Sequence, residues 1–227
     1  MKQIGLLGGT AWPSTIEYYR ILNEMTQAHY GESHSAKILL WSIDFHEIRQ
    51  FLPNDWENIN FVLKREMLQF SQKGSDCILI CNNTLHKSYD LIKNSLNLAT
   101  PVIHMADLTV QKAKDNGMKH ILLLGTRNTM ENGYYSSKFE SIGIKTHIPS
   151  AIERKKIQEV QQHIANGGNP AVYLNVISEL LSNYNTIDAV VPACTELPLI
   201  ITEKTTDLKI LDPMKIQCEA AFKYVAI

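Results

Sequence analysis

Short apolar runs alternate along this chain with longer stretches of helical spacing, and that alternation limits the folds open to it. The runs lie at 4–8, 37–42, 76–81, 101–103, 120–125, 144–148 and 187–192. Helical spacing covers about 14–30, 58–73, 107–116, 129–141 and 212–224, and a long stretch over 151–183 is interrupted by Gly167, Gly168 and Pro170. Strands that read as near-continuous apolar runs are buried on both faces, which requires helices above and below them. The pattern therefore predicts an α/β chain with mainly parallel sheets flanked by helices.

The pattern also repeats. Leu6-Leu-Gly-Gly-Thr10 resembles Leu123-Leu-Gly-Thr126. Each opens a half that closes, after similar spacing, on a strand ending in a polar tripeptide. The tripeptides are Asn82-Asn83-Thr84 and Cys194-Thr195-Glu196. Two pseudo-symmetric lobes are expected: residues 1–98 with 209–227, and residues 99–208. Ligands of such sheets bind beyond the carboxyl ends of the strands. The active site is therefore expected in the cleft between the lobes.

Bulk composition narrows the partners. A net charge of −1 gives no positive field for nucleic acid or an anionic membrane. No apolar run approaches the ~20 residues of a membrane helix. The opening MKQIGLLGGTAW is too short and too glycine-broken for a signal-peptide core and reads as a first strand. Four cysteines, Cys77, Cys81, Cys194 and Cys218, form no C-x-x-C pair or metal-ligand spacing, which suits a reduced, cytoplasmic protein without a metal.

Three short motifs carry chemistry. Gly8-Gly9-Thr10 joins a strand to a helix, where glycine lets backbone amides approach an anion. It lacks the G-x-G-x-x-G spacing of a dinucleotide site, so it suggests a small carboxylate, or simply a tight turn. Cys194-Thr195-Glu196 sets a thiol, a hydroxyl and an acid at a strand's carboxyl end, where a cysteine is either reactive or a core residue. Asn82-Asn83-Thr84 offers amides and a hydroxyl suited to an amino acid's carboxylate and ammonium, or to a turn entering a helix. Cys77 and Cys218 read as core, and Tyr18 and Tyr19 as packing under the first loop. His34, His46, His86 and His104 have no metal spacing and read as structural.

Together LLGGTAWPSTIEYY, SIDFHEI, CNNTLHK, LLGTRNTM, PACTE and LDP resemble the aspartate/glutamate racemase family across nearly the whole chain. The resemblance implies cofactor-independent α-proton exchange on a small amino acid or dicarboxylate, and a homodimer. Two acid/base residues, usually thiols, would face the α-carbon from opposite sides. By this resemblance Cys194 is the second catalytic thiol, and Thr10, Asn83, Thr84, Thr126, Thr195 and Glu196 bind substrate. The family's first thiol directly precedes Asn-Thr, a place held here by Asn82. Cys81 lies one residue earlier, and a one-residue step in a strand turns a side chain to the opposite face. Cys81 is therefore expected to be structural, leaving Cys194 as the competent thiol. Arg49 and Lys155 or Lys156 are candidates for holding a substrate side-chain carboxylate. Two other functions stay open: another one-thiol reaction on a dicarboxylate, such as isomerisation or decarboxylation, and carboxylate binding without turnover.

Overall fold

The computed structural model describes residues 1–226. In chain order the elements are β1 (Ile4–Gly8), α1 (Trp12–Tyr30), β2 (Ile38–Ser42), α2 (His46–Arg49), α3 (Trp56–Ser71), β3 (Cys77–Ile80), α4 (Asn83–Leu96) and α5 (Met105–Asp115). There follow β4 (His120–Leu124), α6 (Arg127–Glu131), α7 (Tyr134–Glu140), β5 (Lys145–His147), α8 (Ala151–Ala165), α9 (Leu174–Ser182), β6 (Ala189–Pro192), β7 (Lys209–Ile210) and α10 (Pro213–Val225). Two compact units result, Met1–Met105 with Met214–Ile227, and Ala106–Pro213.

Both sheets are parallel, as the apolar runs predict. The first has the order β2-β1-β3 and the second β5-β4-β6-β7. In each, the first strand along the chain has the next on one side and the third on the other. A single bridge from Ile78 to Val102 stands beside β3 where β7 stands beside β6. The internal repeat thus survives as a repeated strand order.

In the first unit, alternation along β3 sorts its side chains between two apolar layers. Cys77, Leu79 and Cys81 join Ile4 and Leu6 of β1, Tyr18 and Leu22 of α1, and Met214, Cys218, Ala221 and Val225 of α10. Ile78 and Ile80 join Leu7 with α3 residues Ile59, Leu63, Met67 and Phe70, and α4 residues Leu85, Ile92 and Leu96. A polar link in the first layer is satisfied: Tyr18 donates to Gln217 Oε1 at 2.6 Å, and Gln217 Nε2 donates to the Ile103 carbonyl at 2.6 Å. In the second unit Leu122, Leu124 and Val190 pack against Ile157, Val160 and Ile164 of α8 and Ile177, Leu180 and Leu181 of α9. Among the described residues no helix is long and apolar enough to cross a membrane.

Several local expectations change. The helix expected over 129–141 is two, because Gly133 adopts φ 73° and breaks the path between α6 and α7. The run at 101–103 makes only the bridge at Val102. The return to the first unit comes at Met214 rather than at 209, because Lys209 and Ile210 pair with β6 as β7.

Candidate active site

The first unit's polar loops lie at the carboxyl ends of β1 and β3, adjacent strands in register at Leu7 and Ile80. Gly9 has φ 88°, and a Cβ there would lie 2.2 Å from the Ile43 carbonyl oxygen, so no other residue fits beside the chain leaving β2. Its amide donates to Thr15 Oγ1 at 3.1 Å rather than standing open to an anion. Thr10 behaves differently. It is 3% exposed, and its Oγ1 is buried with no hydrogen-bond partner among the described residues. An unsatisfied buried hydroxyl costs about 1–3 kcal/mol, a cost that a ligand's polar atom would remove.

At the end of β3 the chain turns straight into α4. Asn82 is the N-cap, extended at φ −159°, ψ 128°, and its Oδ1 accepts from the Leu85 amide at 3.0 Å. Asn83, buried, and Thr84, half-buried, occupy the first turn. The side-chain carbonyl at the expected first-thiol place is thus committed to the helix, leaving the NH2 group as its remaining polar function. Cys81 lies in the core layer below α1 and α10, fully buried, with Sγ 3.8 Å from the Leu79 carbonyl. Burial alone drives its thiol far above the ordinary range, so it rests protonated, away from the polar loops. His86 is fully buried, with Nε2 3.2 Å from the Ile80 carbonyl oxygen and its ring edge-to-face with His104.

The second unit repeats the arrangement with different chemistry. Thr126 caps α6: its Oγ1 accepts from the Thr129 amide at 3.2 Å and lies 3.0 Å from Thr129 Oγ1. Leu124 is in register with Pro192, and the Ala193 amide donates to the Leu124 carbonyl at 2.7 Å. That bond sets the loop carrying Cys194 beside the loop carrying Thr126. Cys194 sits at a bend beyond β6, 8% exposed, and its Sγ donates to Glu196 Oε2 at 2.8 Å. The same oxygen accepts from Thr195 Oγ1 at 3.3 Å. Burial, then the Glu196 charge and the bond to it, push the Cys194 thiol well up, while the amides of Glu196 and Thr195 pull it down. The sulfur therefore rests protonated, with an acceptor for its proton and two amides placed to hold a thiolate. Glu196, expected to bind substrate, stands against the thiol.

Other cations divide by their commitments. Arg154 is tied to Glu131 at 2.9 Å and to the Pro149 carbonyl at 2.6 Å. Arg49, Lys155 and Lys156 are exposed. Arg127, which sequence reasoning passed over, begins α6 directly after Thr126, is exposed, and forms no ion pair among the described residues. Its position after the second Leu-Leu-Gly-Thr was the available signal.

Comparison with known proteins follows the same outline. The chain is 32% identical to a Yersinia pestis protein assigned to the Asp/Glu racemases, with a TM-score of 0.88 and all of both chains covered. It shares its fold with an aspartate racemase from Picrophilus torridus (24% identity, TM-score 0.81, all of this chain and 95% of that one). It shares it also with a glutamate racemase from Francisella tularensis solved in complex with D-glutamate (17%, TM-score 0.72, 99% and 81%). A polyketide synthase of Dictyostelium discoideum is 31% identical over 84 residues, 37% of this chain, and the chain spans 3% of that protein's length. The sequence profile of the Asp/Glu/hydantoin racemase family matches residues 7–221. The match runs through both units and leaves only a few residues outside it at either end, and on that ground the chain belongs to the Asp/Glu/hydantoin racemase family.

Proposed function

We propose that the protein exchanges the α-proton of aspartate, glutamate or a related amino acid without a cofactor, using one thiol. The observation that carries this reading is the Cys194–Glu196 pair at 2.8 Å, set against a Cys81 buried in the α1–α10 core layer of the first unit. In the protonating direction the Cys194 S–H bond breaks and its proton goes to the α-carbanion. In the reverse direction the thiol first passes its proton to Glu196. The thiolate, held by the amides of Thr195 and Glu196, then takes the α-proton, and the electron pair of the C–H bond stays on carbon. Thr10, Asn83, Thr84, Thr126 and Thr195 supply hydroxyl and amide groups for the substrate carboxylate and ammonium. Asn82 cannot titrate near neutral pH, so on its side it orients the substrate or an ordered water. Exchange is therefore one-sided or slow.

Separate L and D substrates in deuterium oxide test this directly. Rapid and equal exchange from both enantiomers would overturn the one-thiol reading. Asn82→Cys is expected to add exchange on the second face, and no gain would place the first catalytic position elsewhere. The lone thiol at a strand end equally suits isomerisation or decarboxylation of a dicarboxylate, which product analysis with maleate and malonate-type substrates separates. A carboxylate-binding protein without turnover would keep its behaviour, apart from affinity, in Cys194→Ala. The homodimer implied by the family resemblance is tested by sedimentation velocity.

A further inference from the structure

We propose that His120 and His147 form a two-imidazole site for a borderline divalent cation of the Ni²⁺, Cu²⁺ or Zn²⁺ class, on the second unit's sheet. The fold brings them together from 27 positions apart. β4 and β5 are parallel, with His120 opposite Lys145 and Leu122 opposite His147. Residues two apart share a face, so the two histidines are diagonal neighbours on one face, within reach for long side chains. His120 Nδ1 lies 3.0 Å from His147 Nε2, with ring centroids 5.3 Å apart and planes at 47°.

Without an ion, that distance is a ring-to-ring N–H···N hydrogen bond. It is also the separation of two ligands on one metal. Metal–imidazole bonds of about 2.05 Å subtend about 94° across 3.0 Å, near the cis angle of a six-coordinate or square-planar ion. A tetrahedral angle would need the nitrogens about 0.3 Å further apart, so Ni²⁺ and Cu²⁺ fit with less movement than Zn²⁺. Imidazole is the ligand these ions share.

Carboxylate charge also stands near the pair. Asp188 Oδ2 accepts the backbone amides of Lys119 and His120 at 2.6 and 2.8 Å, anchoring a negative charge beside the first residue of β4. His120 is exposed, so water can complete the coordination. An ion held there would tie β5, an edge strand of three residues, to β4. The place is at the amino end of β4, whereas the Cys194 loop follows the carboxyl end of β6, so the ion would not act on the thiol.

Nickel chloride titration of the purified protein at pH 7.5, followed by calorimetry and by melting temperature, tests the proposal. One ion per chain is expected, with affinity at least tenfold weaker in both His120→Gln and His147→Gln, and weaker in wild type as protons compete at falling pH. Cupric ion at one equivalent should show hyperfine coupling to two nitrogens by electron paramagnetic resonance. Metal-free melting of the two variants checks that they fold. Binding unchanged in both variants, coupling to a single nitrogen, or binding lost in Cys194→Ala but kept in the histidine variants would each overturn it.

Discussion

Cys81→Ala separates the two sulfurs most sharply. The substitution removes one sulfur atom from a fully buried place among Leu6, Tyr18, Leu79 and Cys218, where its polar contact is the Leu79 carbonyl at 3.8 Å. Its transfer contribution is about 1 kcal/mol. The cavity left, about 20 Å³ at about 24 cal/mol per Å³, adds about 0.5 kcal/mol. The total of about 1.5 kcal/mol corresponds to a fall in melting temperature of about 3–6 °C for a chain of this size. Turnover, measured by loss of the α-proton NMR signal in deuterium oxide at a temperature where both proteins are folded, is expected within about twofold of wild type. Cys194→Ala in the same assay should lose at least 10²-fold, the usual scale for a positioned acid–base group. The reasoning is refuted if Cys81→Ala loses activity on the Cys194→Ala scale while its melting shift stays near the predicted value. That result would mean Cys81 reaches the reacting carbon despite its place in the α1–α10 layer.

Other outcomes follow from the same geometry. Glu196→Gln removes both the charge and the proton acceptor at 2.8 Å from Sγ. Its rate should fall by about 10² or more, and the limb of the pH–rate profile belonging to the thiol should move to lower pH; an unmoved limb would mean the two groups are uncoupled. Gly9→Ala forces a side chain into φ 88° and against the Ile43 backbone, so a loss of at least about 2 kcal/mol is expected by urea denaturation. Gly31→Ala, at φ 105° but with nothing within 4 Å, should lose less. The amides of Lys119 and His120 hold Asp188 below the ordinary carboxylate range. Such an acid contributes fully above its unfolded value of about 3.9 and loses that contribution as pH falls to its lower folded value. Urea midpoints between pH 5 and 2.5 should therefore fall more steeply in wild type than in Asp188→Asn.

The fold was legible where burial on both faces wrote itself into the chain. Ile78-Leu79-Ile80 and Val190-Val191 read as strands because neither face meets water. The short β7 was not legible, since two residues, one of them an exposed lysine, carry no pattern. The joined reading of 129–141 failed at Gly133, whose left-handed backbone outweighs the apolar spacing on either side. At the site, the register argument for Cys81 needed only the two-residue period of a strand. The partnership of Cys194 with Glu196 needed the bend beyond β6, which no periodicity describes. His120 and His147 meet only through the parallel register of β4 and β5, so neither residue type nor spacing announced them.

The late arrival of α10 has a consequence for biosynthesis. The layer of Ile4, Leu6, Cys77 and Leu79 is covered in part by Met214, Cys218, Ala221 and Val225, which emerge from the ribosome only after the whole of Ala106–Pro213. At about 5–20 residues per second, that interval of roughly a hundred residues lasts about 5–20 s. During it the first unit carries an uncovered apolar face, while the second unit, continuous in sequence, has everything its own core requires. The nascent chain therefore completes its middle before its beginning, and the oldest strands wait longest for cover.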